Sequence, residues 1–138
     1  MNKFRFFFIF LSAFFIVSCD KDEDEVSERF RFLTGVEWES EELLVNGVDS
    51  SGPGELLEDF KGTVKFNEDG TGSFGQYSGT WQFAKEETEL VITTEALAFP
   101  LTTKIDELTA TRLRVSTGFP NPMNPQEQFN IQMSFKSK

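Results

Sequence analysis

The 138-residue chain is acidic, with 13 Lys and Arg against 23 Asp and Glu for a formal charge of −10, and it has no His and a single Cys. The lack of imidazole removes Ser-His-Asp triads, Cys-His pairs and histidine-ligated zinc. An acidic chain without basic clusters argues against nucleic acid and against unaided binding to anionic lipid.

Lys3 and Arg5 precede Phe6 to Val17, a twelve-residue run that is apolar except for Ser12. A spanning helix needs about 20 apolar residues, so the run has the length of a signal-peptide core. Residues 1–18 are therefore expected to be a leader. Ile16-Val17-Ser18-Cys19 closes the run and Asp20 follows at once. This resembles a bacterial lipobox, and the resemblance implies that Cys19 is lipidated and becomes the mature N-terminus. The plainer alternative is a secretory signal with an incidental cysteine. With Cys19 at the cleavage position, the exported domain has no disulfide. Lys3 and Arg5 leave with the leader, so the mature chain carries 11 basic against 23 acidic residues, a net charge of −12.

Residues 19–30 read as an acidic tether. The run Asp20-Lys21-Asp22-Glu23-Asp24-Glu25 repels itself and stays extended. Lys21, Asp22 and Glu23, just after the lipidated position, resemble the export signal of Bacteroidetes-type surface lipoproteins. That resemblance implies an outer-membrane lipoprotein exposed at the cell surface, held in the membrane through the lipid on Cys19.

The remaining residues, 31–138, suit one small domain. Phe30, Phe32 and Leu33 lead into a first strand through Trp38 to about Val45. Gly35-Val36-Glu37-Trp38 resembles the lipocalin Gly-X-Trp signature with one extra residue, which implies a Trp plugging the closed end of a barrel. Residues 47–54 are a loop by composition. Glu55 to Phe60 suits one or two helical turns with Leu56, Leu57 and Phe60 facing inward, as either a cap or a ligand gate.

Thr63 to Phe83 is expected to form three antiparallel strands. Val64 and Phe66 alternate with polar residues, and Glu68-Asp69-Gly70 closes a hairpin that pairs Phe66 with Gly72 and Val64 with Phe74. A four-residue turn, Gly75 to Ser78, would then set Gly72 between Phe66 and Trp81. Leu90, Ile92 and Thr94 form the next alternating set, and Leu97, Phe99, Leu101, Thr103 and Ile105 the one after, with Pro100 at an edge or bulge. Asp106 to Thr109 is read as a turn. Leu113 and Val115 follow. Residues 117–127 are read as a proline-rich loop, and Phe129, Ile131, Met133 and Phe135 share one face of the last strand.

These signals predict an all-β fold, an antiparallel up-and-down barrel of about eight strands. Their order, LTGVEW, FNEDGTGSF, GTWQF, LVIT and IDELTATRLRV, resembles the lipocalin-like domain family of Bacteroidetes lipoproteins over about residues 31–136. The resemblance implies a fold and little chemistry.

No enzymatic motif stands out, and no cofactor or metal is implied. A carboxylate-pair hydrolase is a remote alternative. Glu42 shares parity with Trp38, although a bulge would turn it outward. Asn67 to Thr71 has a faint calcium-loop look, but a hairpin turn accounts for it. The leading function is binding of a small apolar or amphipathic ligand, or of a partner protein. The rival is a non-binding accessory lipoprotein with a filled barrel. Alternation of turns places the 46–61 and 117–127 segments at the same barrel end as Gln76-Tyr77. Leu56, Phe60, Tyr77, Phe119 and Met123 are thus the candidate ligand-binding residues.

Overall fold

A computed structural model describes residues 26–138. The leader, Cys19 and Lys21-Asp22-Glu23 lie outside the described residues. The fold is a closed, eight-stranded antiparallel barrel with one short helix. Strands β1 (Glu37–Val45), β3 (Thr63–Phe66), β4 (Thr71–Phe74), β5 (Tyr77–Ala84), β6 (Glu89–Thr94), β7 (Leu101–Leu108), β8 (Arg112–Asn121) and β9 (Asn124–Ser137) follow in chain order around it, and pairing of β1 with β9 closes the ring. Closure leaves none of these eight strands as a free edge. A two-residue strand, β2 (Val48–Asp49), folds back on the end of β1. Asn46 and Gly47, at φ 51° and 81°, form that hairpin, the Asn-Gly pairing that a two-residue turn of this hand favours. The stretch read as loop from 47 thus begins with a strand.

Helix α1 (Glu28–Thr34) replaces the expected lead-in to the first strand and starts inside the stretch read as tether. Its start is set by Ser27, whose hydroxyl accepts from Phe30 N at 3.0 Å, with Glu28 in the first turn. Leu33 and Trp38 are fully buried, and Trp38 Nε1 donates to Leu33 O at 3.0 Å. Helix and indole together plug one end of the barrel. Phe30 reaches Trp81 with ring centroids 5.7 Å apart.

Inside the barrel the alternation holds. Val64, Phe66, Phe74, Trp81, Leu90, Ile92, Leu113, Val115, Ile131, Met133 and Phe135 are all buried. Thr103 is buried among them and donates to Leu90 O at 3.1 Å. On β1 the register shifts between Ser40 and Glu42, so Leu43 takes the interior position and Glu42 is exposed. One extra residue reverses the parity of everything after it.

Several expectations are corrected. The β4–β5 connection is the two-residue turn Gly75-Gln76, so Gly72 pairs with Gly79 and Trp81 with Ile92. The slip is two residues, which preserves every face. Phe66 and Trp81 still meet edge-on at 5.7 Å. Gly72 has its own reason to lack a side chain: a Cβ there would stand 2.7 Å from Lys65 O and 2.8 Å from the Phe74 ring. Phe99 does not enter the core but is 54% exposed in the β6–β7 loop, because β7 begins only after Pro100. The 106–109 stretch is mostly strand: a register shift between Ile105 and Glu107 turns Leu108 inward. The 117–127 segment is a hairpin rather than a loop, with β8 and β9 meeting at Pro122-Met123. Its prolines are absorbed by the register break beside Pro120, where Gln128 is the partner of Pro120 but Asn124 that of Asn121.

Candidate functional site

The end opposite α1 collects the 46–62 segment, the Gly75-Gln76 turn, the β6–β7 loop and the tip of the β8–β9 hairpin, as turn alternation requires. The 46–62 segment is built locally. Glu55 accepts from Gly52 N at 3.0 Å and Glu58 from Gly54 N at 2.8 Å. Leu57 N bonds Ser50 O at 2.9 Å and its side chain is buried in the core, while Glu58–Phe60 forms a 3₁₀ turn. This is a cap fastened from beneath by Leu57.

The cap rests on the β4–β5 turn. Gln76 N donates to Asp59 O at 3.3 Å, and Tyr77 Oη donates to Asp59 Oδ2 at 2.8 Å. The rings of Phe60 and Tyr77 lie 5.8 Å apart. Gly75 permits this approach: its φ is 63°, and a Cβ would stand 2.3 Å from Asp59 O. The bond that Tyr77 donates to Asp59 raises the Tyr77 pKa above its ordinary value.

Between cap and barrel lies a cavity of about 240 Å³, lined by Leu56, Leu57, Asp59, Phe60, Tyr77, Ala96, Leu97, Leu101, Thr117, Phe119, Ile131 and Met133. Its wall is apolar apart from Asp59, Tyr77 and Thr117, and the Thr117 hydroxyl is engaged with Thr102 O at 2.8 Å. Deeper in the barrel a second void of about 30 Å³ is bounded by Phe66, Phe74 and Phe135. That volume is one water's share of liquid, so the interior is nearly filled by its own side chains. Phe60, Leu101 and Met133 border both spaces and separate them.

Four of the five residues named from sequence, Leu56, Phe60, Tyr77 and Phe119, meet on this wall. Met123 does not: it is 93% exposed at the hairpin tip, where β8 and β9 extend past the cavity. Phe99, expected in the core, instead stacks on Phe119 outside it, at 6.2 Å and 23°. Asp59 carries no sequence signal of its own, as one acid among several in an exposed stretch. Leu97 was legible only as part of a strand, and the loop that replaces the strand carries it to the mouth.

The mouth offers little reactive chemistry. Glycoside hydrolysis needs two facing carboxylates, and Asp59 is the single acid on this wall. Among the described residues no group of three or more Cys, Asp or Glu could hold a metal ion. At the opposite end, Asp69 Oδ1 already accepts from Thr71 N and Oγ1 at 3.0 and 2.6 Å, which accounts for the faint calcium-loop pattern.

A closed eight-stranded meander, plugged by an indole at one end and open to an apolar pocket at the other, defines a lipocalin-type barrel. The solved complex of bovine odorant binding protein with a selenium-containing odorant has this fold: the TM-score is 0.52 at 14% identity, over 84% of this chain and 76% of that one. No protein-family model matches the chain, and no curated protein does.

Proposed function

We propose that this protein is a lipid-anchored, surface-exposed lipocalin-like binding protein that takes a small apolar or amphipathic ligand at the capped mouth. The observation that carries the reading is the 240 Å³ apolar cavity beneath Leu56, Phe60, Tyr77 and Phe119. Ligand sites are concave, mostly apolar and fixed by a few polar groups, and Asp59 and Tyr77 are such groups here. The odorant complex of the bovine protein supports the reading by fold alone. Titration with N-phenyl-1-naphthylamine, a neutral fluorescent probe, tests it. Saturable binding that weakens at least fivefold in Phe119→Ala is the expected result. Binding unchanged by that substitution moves the site elsewhere.

The nearly filled interior favours a second reading, an accessory lipoprotein without a ligand. Failure of every apolar probe to bind would select it.

Anchoring and display rest on the sequence. Mass spectrometry of the natively expressed protein is expected to find acylated Cys19 as the first residue, and Cys19→Ala to abolish lipoprotein processing. Protease added to intact cells is expected to remove the protein. Replacing Lys21, Asp22 and Glu23 by Ala is expected to protect it while it stays membrane-bound.

A further inference from the structure

Resting on that reading of the mouth, we infer that the site selects apolar ligands bearing an amine or other cationic head and disfavours carboxylates. Asp59 is the only acidic or basic side chain on the cavity wall. Its Oδ2 is held by the Tyr77 hydroxyl at 2.8 Å, which fixes the carboxylate at the edge of the pocket. No ion pair among the described residues involves Asp59, so its charge is not neutralised by a neighbour.

The surroundings have the same sign. The 46–62 segment, the β6–β7 loop and the hairpin tip of residues 117–127 at this end carry Asp49, Glu55, Glu58, Glu95 and Glu127, against Lys61 as their one cation. Clefts lined by one sign of charge focus the field and gather counter-ions. A carboxylate head entering here would meet the like charge of Asp59, an exposed group at the rim, and be repelled on the scale of a surface pair. An ammonium head would meet an oriented acceptor instead. The apolar remainder, with Leu57, Leu97, Ile131 and Met133, takes the tail. At about 30 Å³ per water-sized group, 240 Å³ holds a tail of about eight such groups. The ligand class is therefore a compact, short-chain apolar amine, with neutral molecules of that size binding less tightly.

The experiment is an NMR titration of the 19–138 domain, without lipid, with 1-octylamine, 1-octanol and octanoate at neutral pH and low salt. Amide shifts locate the site and their concentration dependence gives the affinity. Octylamine is expected to bind about three- to fivefold tighter than octanol, the scale of an exposed ion pair. Octanoate is expected to bind weakest, and added salt to narrow the spread. Asp59→Asn, which keeps an acceptor for Tyr77, is expected to bring the amine and the alcohol to equal affinity. If none of the three shifts the amides of residues 56–60, 77, 97 and 119, the mouth itself is not a ligand site. If all three bind there equally, or octanoate binds best, the site stands and the charge selection is wrong. An amine preference that survives Asp59→Asn overturns the assignment to Asp59.

Discussion

Tyr77 donates its hydroxyl to Asp59 across 2.8 Å, tying the first residues of β5 to a cap that precedes them by 18 positions. The bond fastens the roof of the cavity to its wall. Tyr77→Phe keeps the ring that packs on Phe60 and removes only this bond. Amide exchange at Asp59, Phe60 and Lys61 is expected to quicken several-fold while the barrel strands keep their protection. The bond raises the folded Tyr77 pKa, so its contribution is present below the ordinary tyrosine value of 10.0 and is lost as pH rises through the raised value. Cap exchange in the wild type is expected to approach that of Tyr77→Phe only at strongly alkaline pH.

Phe60, with Leu101 and Met133, separates the 240 Å³ mouth from the 30 Å³ inner void, and it carries the largest of the three side chains. Phe60→Ala is expected to join them into one longer cavity. Dodecyl compounds should then gain affinity relative to octyl compounds of the same head group. An unchanged chain-length preference would place the partition elsewhere.

Trp81 sits between the rings of Phe66 and Phe83, at 5.7 and 5.4 Å, and donates Nε1 to Asn67 O at 2.9 Å. Truncation to Ala removes a buried ring and leaves a cavity, at an expected cost of about 3–5 kcal/mol. Denaturant unfolding measures it. A loss below 1 kcal/mol would contradict its place in the core.

Lys85, Glu86 and Glu87 occupy three consecutive left-handed positions, at φ 46°, 56° and 66°, in the β5–β6 turn. The turn is clasped by α1, where Ser27 Oγ bonds the Glu87 carboxylate and Arg29 Nε donates to Glu87 O at 3.0 Å. Residues with a Cβ are strained in this region, and glycine is not. Glu86 is exposed and free of that clasp, so Glu86→Gly is expected to stabilise the fold by about 0.5–1 kcal/mol, read as a higher denaturant midpoint.

Asp69 lies below the usual carboxylate value, first through the hydrogen bond from the Thr71 side chain and then through that from its backbone. A depressed folded pKa contributes stability above the unfolded value, lost as pH falls through the folded one. Carboxyl NMR titration is expected to place the midpoint of Asp69 below the ordinary aspartate value of 3.8, and Thr71→Val to raise it by removing the larger of the two bonds. An unmoved midpoint would assign the depression to the backbone bond alone.

The sequence by itself determined the barrel. Strict period-2 alternation in Val64-Lys65-Phe66, Leu113-Arg114-Val115 and Ile131-Gln132-Met133 commits one face of each strand to a core, and Asn-Gly and Asp-Gly pairs commit the chain to turn between them. Even the misplaced β4–β5 register left the core intact, because a two-residue slip conserves parity. Alternation of turns also brought Leu56, Phe60, Tyr77 and Phe119 to one end.

Tertiary structure alone decided what lies outside that periodicity. Ser27 capping turned a Phe-rich lead-in into α1, since a seven-residue helix has too few turns to show a period. The β1 bulge put Leu43 rather than Glu42 inside, although alternation alone favours Glu42. Phe99 left the core because Pro100 delays the strand, and Met123 left the mouth because β8 and β9 continue pairing past it. The size of the cavity depends on how far Leu57 sinks and where Phe60 stops. Those positions follow from packing among residues distant in the chain, which a local pattern of apolar and polar residues does not encode.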